Sequence, residues 1–255
     1  MVQSHFPIDL GVLTAIRQLI PANSRIVELG SGNGTNRLTK EYDVYSIEDN
    51  ENWIGYCEDS NYIHAPIKKV EYDGKEVPWY DVEAIRNGIP EEYDLVLVDG
   101  PSGKIGRSGL LRNMHLFRSD VPFVIDDTLR EHECQIAREM AFLLNRPLYV
   151  FWNFSIISPI ILERETLARI QKAALQVLDQ EKEPYLSSYF TITDRIVEPD
   201  YSSLDKVKQD NYLLRQKIST LEASQRKLHA VEKSISLKLG RFITMPFRLI
   251  STLKK

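Results

Sequence analysis

The sequence predicts an α/β domain on a doubly wound, mostly parallel sheet, followed by a C-terminal coiled-coil helix and a basic amphipathic tail. Three observations carry this. Over residues 1–198, short apolar runs alternate with helical patterns, as expected of strands joined by crossover helices. The first apolar run opens into glycines at alternate positions, Gly30, Gly32 and Gly34. From Leu204 onward the apolar residues leave that alternation for a strict 3-4-3-4 spacing.

The elements follow in order. Leu13, Ile16, Leu19 and Ile20 fall at helical spacing within Leu10–Ile20, and Pro21 stops the helix. Arg25–Leu29 is the first strand, Asn36–Tyr42 a short helix, and Val44–Ile47 the second strand, ending in Glu48. Trp53–Cys57 reads as helical and Tyr62–Ala65 as a third strand. Tyr93–Val98 is the fourth strand, broken by Asp99-Gly-Pro-Ser-Gly103, and Val121–Ile125 the fifth, ending in Asp126-Asp127. Thr128 is placed to cap a helix running to about Asn145, with Ile136, Met140, Leu143 and Leu144 inward. Leu148–Trp152, with either Ser155–Ile161 or Tyr189–Thr193, completes the sheet, and Glu163–Gln180 is an amphipathic helix.

A chain of 255 residues with 43% hydrophobic and 27% charged residues is an ordinary globular composition. Two cysteines, Cys57 and Cys134, are too few for a disulfide framework and fit a reducing compartment. The first ten residues have no basic region or apolar core, so no secretory signal is expected. Net charge is −4, yet residues from Lys233 to Lys255 include six basic and no acidic ones, which leaves −10 on residues 1–232. So acidic a body argues against nucleic acid as a partner, because its phosphates would be repelled.

The segment Arg25–Gly34 is the most informative. A strand that feeds glycines and then a helix puts backbone N–H groups at the carboxyl edge of a parallel sheet, where nucleotide-like ligands sit. The spacing is G-x-G-x-G, not the G-x-G-x-x-G of a dinucleotide fold, and Glu28 stands two residues ahead. Together these resemble the first motif of class I S-adenosylmethionine (SAM) methyltransferases, which implies a Rossmann-like sheet. The resemblance implies that Glu28, Gly30, Ser31, Gly32 and Gly34 form the cofactor loop. Glu48 then holds the ribose diol, since a carboxylate accepts two O–H bonds at once. Asp49 is the neighbouring alternative. Trp53 is placed near the adenine, or is a plain core residue.

Asp99-Gly100-Pro101 ends the fourth strand, the point that faces methyl group and acceptor in class I methyltransferases. The window Tyr93–Gly103, with Gly106-Arg107, Asp126-Asp127 and Arg130-Glu131, resembles glucuronoxylan-type polysaccharide O-methyltransferases, most clearly over residues 93–140. Asp99 is accordingly the candidate general base for a sugar hydroxyl. Arg107 or Lys104 is placed to hold an acidic sugar or phosphate. His64, His115 and His132 are alternative bases. Asp99, Asp126 and Asp127 are a candidate oxygen-ligand set for a divalent metal such as Mg²⁺. Catechol-type O-methyltransferases use a comparable Asp, Asp-Asn arrangement, but here Asp127 stands in place of Asn and is also suited to a helix start.

Beyond the domain, Leu204, Val207, Asn211, Leu214, Ile218, Leu221, Gln225, Leu228, Glu232 and Ile235 form a heptad seam over residues 204–235, with seven of ten positions apolar. A period of 3.5 favours a homo-oligomeric coiled coil over a helix docked on its own domain. In residues 234–255 large apolar residues alternate with Lys238, Arg241 and Arg248, and Pro246 interrupts them. This suits a helix lying on anionic lipid, or one pairing with a partner chain. The run Ser234–Arg248 also resembles the C-terminal tails of some bacterial polysaccharide-assembly enzymes. The expectation is three parts: a SAM-dependent O-methyltransferase domain over 1–198, a coiled coil over 199–235, and a membrane-association tail over 236–255. The acceptor is a sugar hydroxyl, or a phosphate, of a cell-surface polysaccharide or its lipid-linked precursor, and the location the cytoplasmic face of the inner membrane. A small-molecule O-methyltransferase and a non-catalytic SAM-binding scaffold are the alternatives.

Overall fold

The computed structural model describes residues 8–72, 74–181 and 196–197. The coiled-coil segment, the basic tail and the candidate strand Tyr189–Thr193 lie outside the described residues. Within them a single eight-stranded sheet runs in the order β10-β8-β9-β7-β6-β1-β2-β3. Its strands are β1 (Arg25–Leu29), β2 (Asp43–Glu48), β3 (Asn61–His64), β6 (Leu95–Val98), β7 (Phe123–Asp126), β8 (Leu148–Val150), β9 (Phe154–Ile157) and β10 (Ile196–Val197). Strands β3, β2, β1, β6 and β7 are mutually parallel; β9 is antiparallel to both β7 and β8. The expected doubly wound, mostly parallel sheet is present.

The alternation of strand side chains divides the core. Ile26, Val44, Leu95, Leu97, Val124 and Ile156 face a cluster with Val12, Leu13 and Ile16 of α1 (Leu10–Leu19) and Ile170 and Ala174 of α6 (Arg164–Glu181). Gly11 lets these helices close: a Cβ there would stand 2.9 Å from Ala174 Cα. Their neighbours Val27, Val96, Val98, Phe123 and Ile125, all buried, turn to the other face, where α5 (Glu131–Leu144) packs against β7, β8 and β9. Both faces of the central strands are covered, so β6 is apolar throughout and β7 up to its last residue, Asp126.

Several expectations are corrected. Trp53–Cys57 is a series of turns, with Trp53 N bonded to Asn50 O and Tyr56 N to Trp53 O, because Gly55 at φ +75° breaks the chain after one turn. Thr128 does not cap α5. That helix starts at Glu131 after Arg130, and the Thr128 hydroxyl instead accepts from Ser155 Oγ at 2.9 Å. β8 and β9 form a tight hairpin, closed by Phe151 N donating to Phe154 O, so a strand does form within Ser155–Ile161, and β10 then pairs antiparallel with β8 at the sheet edge. A second hairpin, β4 (Ile67–Tyr72) and β5 (Lys75–Tyr80), was not anticipated. It precedes α3 (Val82–Gly88), and its end buries Trp79 and Tyr80 completely. The remaining helices are short: α2 (Thr35–Leu38) follows β1, and α4 (Gly109–Asn113) follows β6.

Parallel register positions the site. Leu29 pairs with Ile47 of β2 and with Val98 of β6, and Val98 pairs with Ile125 of β7. Gly30, Glu48, Asp99 and Asp126 are therefore the next residues along four adjacent strands, and all lie at one edge of the sheet.

Candidate ligand cleft at the carboxyl edge of the sheet

A cleft opens at this edge between the glycine loop and the end of β6. Of the expected cofactor residues, Gly30, Ser31, Glu48, Asp49, Trp53 and Asp99 line it. Gly100 and Pro101, expected beside the methyl group and acceptor, line it too, as do Asn50, Tyr80 and Ser102, which sequence reasoning missed. Its charged lining is entirely acidic, with Glu48, Asp49 and Asp99 and no Lys, Arg or His among the described residues that line it.

The glycine loop works differently from the expected cradle of free N–H groups. Gly30 N donates to Ile47 O at 2.8 Å, Ser31 N to Glu48 Oε2 at 2.8 Å, and Gly32 N to Thr35 Oγ1 at 3.0 Å. All three amides are already engaged within the chain. Glu28 makes this possible from below. It is 2% exposed, and its Oε2 accepts from Thr35 Oγ1 at 2.9 Å and Ser46 Oγ at 2.7 Å. Thus Glu28 does not line the cleft as expected; it holds Thr35, and Thr35 holds the loop. Burial pushes its carboxyl up to about 7, opposed by the Ser46 and Thr35 hydroxyls and assisted by Glu48.

Two of the three glycines have separate reasons, and nothing in the structure requires the third. Gly30 sits at φ +87°, and a Cβ on it would stand 3.0 Å from Gly100 Cα and N, so two backbones touch at the cleft floor. Gly34, in helical conformation, packs on Ile8. Gly32 faces open space. Neither Gly32 nor Gly34 lines the cleft.

Glu48 is fixed by two amides, Ser31 N on Oε2 and Asn50 N on Oε1 at 2.9 Å. Each oxygen keeps lone-pair capacity for a further donor. Burial raises its carboxyl above the usual range, while these amides oppose the rise. Asp49 is raised by burial as well. Trp53 stands edge-on to Tyr56 at 4.8 Å, which holds its ring at the cleft wall.

Arg107 is turned into the protein, with its donors spent on oxygens at the strand ends. Its side chain is 1% exposed and its guanidinium bridges the ends of β6 and β7. Nη1 donates to Asp126 O at 2.7 Å and Val98 O at 3.3 Å; Nη2 donates to Asp99 O at 2.6 Å and Asp127 Oδ2 at 2.9 Å. The expectation that Arg107 acts on substrate is corrected to a structural clamp behind Asp99. The candidate metal set is altered by the same cation. Among the described residues no three His, Cys, Asp or Glu side chains gather as a metal site. Asp127 is paired with Arg107 and with Arg130 Nη1 at 2.9 Å, and Asp126 Oδ1 accepts from Asp127 N. With these carboxylates already paired, the donor set does not fit a metal.

Asp99 remains open. Its carboxyl is pushed up first by removal from water on the protein side and further by Glu28 and Asp127, while Arg107 pulls it down. The side chain is still 49% exposed to the cleft, so water on that side limits the rise. Asp126 is also raised, by burial first and then by Asp99 and Asp127. Lys104, His64, His115 and His132 do not line the cleft; His132 Nε2 is hydrogen-bonded to Ser108 Oγ at 3.1 Å.

No family model and no curated protein matches the chain. Solved structures with a similar chain course include a methyltransferase-like protein from Silicibacter pomeroyi, 17% identical with a TM-score of 0.41, covering 68% of this chain and 96% of that one. Another is a TehB-like SAM-dependent methyltransferase from Corynebacterium glutamicum, 14% identical with a TM-score of 0.39, covering 60% and 89%. The MycE methyltransferase of the mycinamycin biosynthetic pathway, solved with Mg and S-adenosylhomocysteine, is 15% identical with a TM-score of 0.37, covering 60% and 49%.

Proposed function

We propose that the chain is a SAM-dependent O-methyltransferase whose acceptor is a sugar hydroxyl of a cell-surface polysaccharide or its lipid-linked precursor. The observation that carries the cofactor is the cleft's charge. Three carboxylates line it, no cation does, and the loop amides that would cradle a phosphate are spent. A nucleotide phosphate is repelled there, whereas a cationic nucleoside is attracted. Glu48, with both oxygens oriented by amides, is the residue to accept the two ribose hydroxyls, and Trp53 offers a ring face to the base.

SAM supplies an electrophilic methyl on its sulfonium sulfur. Asp99 is the residue to take the acceptor's hydroxyl proton as the new O–C bond forms. A carboxyl raised above its usual range is a stronger base for that step once ionised. Arg107 orients Asp99 from behind through its backbone oxygen and carboxylate. Much of the remaining rate enhancement comes from holding the reacting groups in line.

The acceptor class is supported by the resemblance over residues 93–140 and by the tail resemblance over Ser234–Arg248. Residues 204–235 are proposed to oligomerise the chain and residues 234–255 to hold it to an anionic membrane surface or to polysaccharide-assembly enzymes. No described helix is long and apolar enough to cross a membrane; attachment through residues 234–255 is proposed as peripheral. Isothermal titration with SAM and S-adenosylhomocysteine tests the core of the reading. Binding of both is expected, with Asp99→Asn retaining S-adenosylhomocysteine binding and losing methyl transfer; absence of binding by the wild-type chain would overturn it.

A further inference from the structure

We propose that Tyr80 is a ligand-binding residue of the cleft, its hydroxyl donating a hydrogen bond to an acceptor atom of the bound nucleoside. This rests on the SAM reading above. Tyr80 is the last residue of the β4–β5 hairpin, 0% exposed, and it lines the cleft beside Gly30, Glu48 and Asp99. Its Oη occupies the space that a Cβ on Gly100 would fill, at the cleft floor. It has no hydrogen-bond partner among the described residues. A buried hydroxyl without a partner destabilises the fold, because water is lost and nothing replaces it.

The rest of the cleft explains why a donor is placed there. The glycine-loop amides are engaged, Ser31 Oγ is hydrogen-bonded to Tyr62 Oη at 3.0 Å, and the charged lining is entirely acceptor. Glu48, Asp49 and Asp99 hold the ligand's donors and its positive charge but can offer nothing to its oxygen and nitrogen acceptors. Asn50, Trp53 and Ser102 carry donors at the rim, and Tyr80 supplies one at the floor. Burial first, then Glu48 and Asp49, hold its phenol well above the ordinary value, so the proton stays on and the group remains a donor.

Tyr80→Phe removes the hydroxyl and nothing else. S-adenosylhomocysteine is titrated calorimetrically into wild type and Y80F, and both ligand-free proteins are melted. The expected result is a Kd for Y80F about 3- to 10-fold weaker, with the ligand-free melting temperature equal to or above that of wild type. A purely structural tyrosine would lower the melting temperature and leave Kd alone. Y80F that binds as tightly as wild type, or melts lower when ligand-free, would overturn the assignment of Tyr80 while leaving the function reading intact. A wild-type chain that binds no S-adenosylhomocysteine would overturn both.

Discussion

Glu28 offers the sharpest quantitative test, because its acidity links the fold's stability to pH. Its carboxyl moves from an ordinary 4.5 to about 7 in the folded chain, chiefly through burial. Between those values the folded state binds a proton that the unfolded state has released, so stability falls as pH rises through this window and the loss is complete above pH 7. A rise of about 2.5 units at about 1.4 kcal/mol each gives about 3 kcal/mol. Glu28→Gln is the perturbation. Both hydroxyls that reach Glu28 donate to the same oxygen, Oε2, so the glutamine carbonyl can accept both while its NH₂ takes the place of Oε1. Any cost of burying that NH₂ is independent of pH, and the other titrating groups are present in both proteins, with Glu48 and Asp99 the two that feel the Glu28 charge. The assay is urea unfolding of wild type and E28Q at pH 4, 5, 6, 7 and 8 at fixed salt. The stability of E28Q relative to wild type should improve by about 3 kcal/mol from pH 4 to pH 8. A difference constant to within about 0.5 kcal/mol would refute the account of a carboxyl buried without a charge partner.

Two further outcomes follow from the same geometry. Arg107→Ala should cost about 3–5 kcal/mol in urea unfolding, since it strips the Asp99 and Asp127 carboxylates and four strand-end carbonyls of their donor; Arg107→Lys should fall between it and wild type, keeping charge without the planar fork. Gly30→Ala should lose about 1–3 kcal/mol from its positive φ and its contact with Gly100, whereas Gly32→Ala, facing open space, should stay within about 0.5 kcal/mol of wild type by the same measurement.

The parts of the site legible in the sequence are those written by period and position. Glu48 and Asp99 each follow a buried strand, and parallel register alone then brings them together with Gly30. Arg107 was illegible for a physical reason. A charged residue on a glycine-rich loop reads as exposed, and only the backbone carbonyls around it reveal why its burial is tolerated. The spent loop amides were equally hidden, because the acceptors for two of them are the side chains of Thr35 and Glu48, three and seventeen residues away. The hairpin that delivers Tyr80 did leave a trace. Asp73-Gly74 is a strong two-residue turn signal, and Gly74 does adopt φ +72°. The charged residues Lys68, Lys69, Glu71, Lys75 and Glu76 on the flanking strands masked it, since this ribbon exposes charged residues on both faces.

The contact between the Gly30 and Gly100 backbones also limits how this protein can diversify. With little room for a side chain on either residue, these two floor positions change only at the cost of parting two strand ends. A change of ligand preference is therefore more easily made at the surrounding side chains, such as Asn50, Trp53 and Ser102, than at the two glycines. Descendants of this chain would therefore share a floor and differ in their walls.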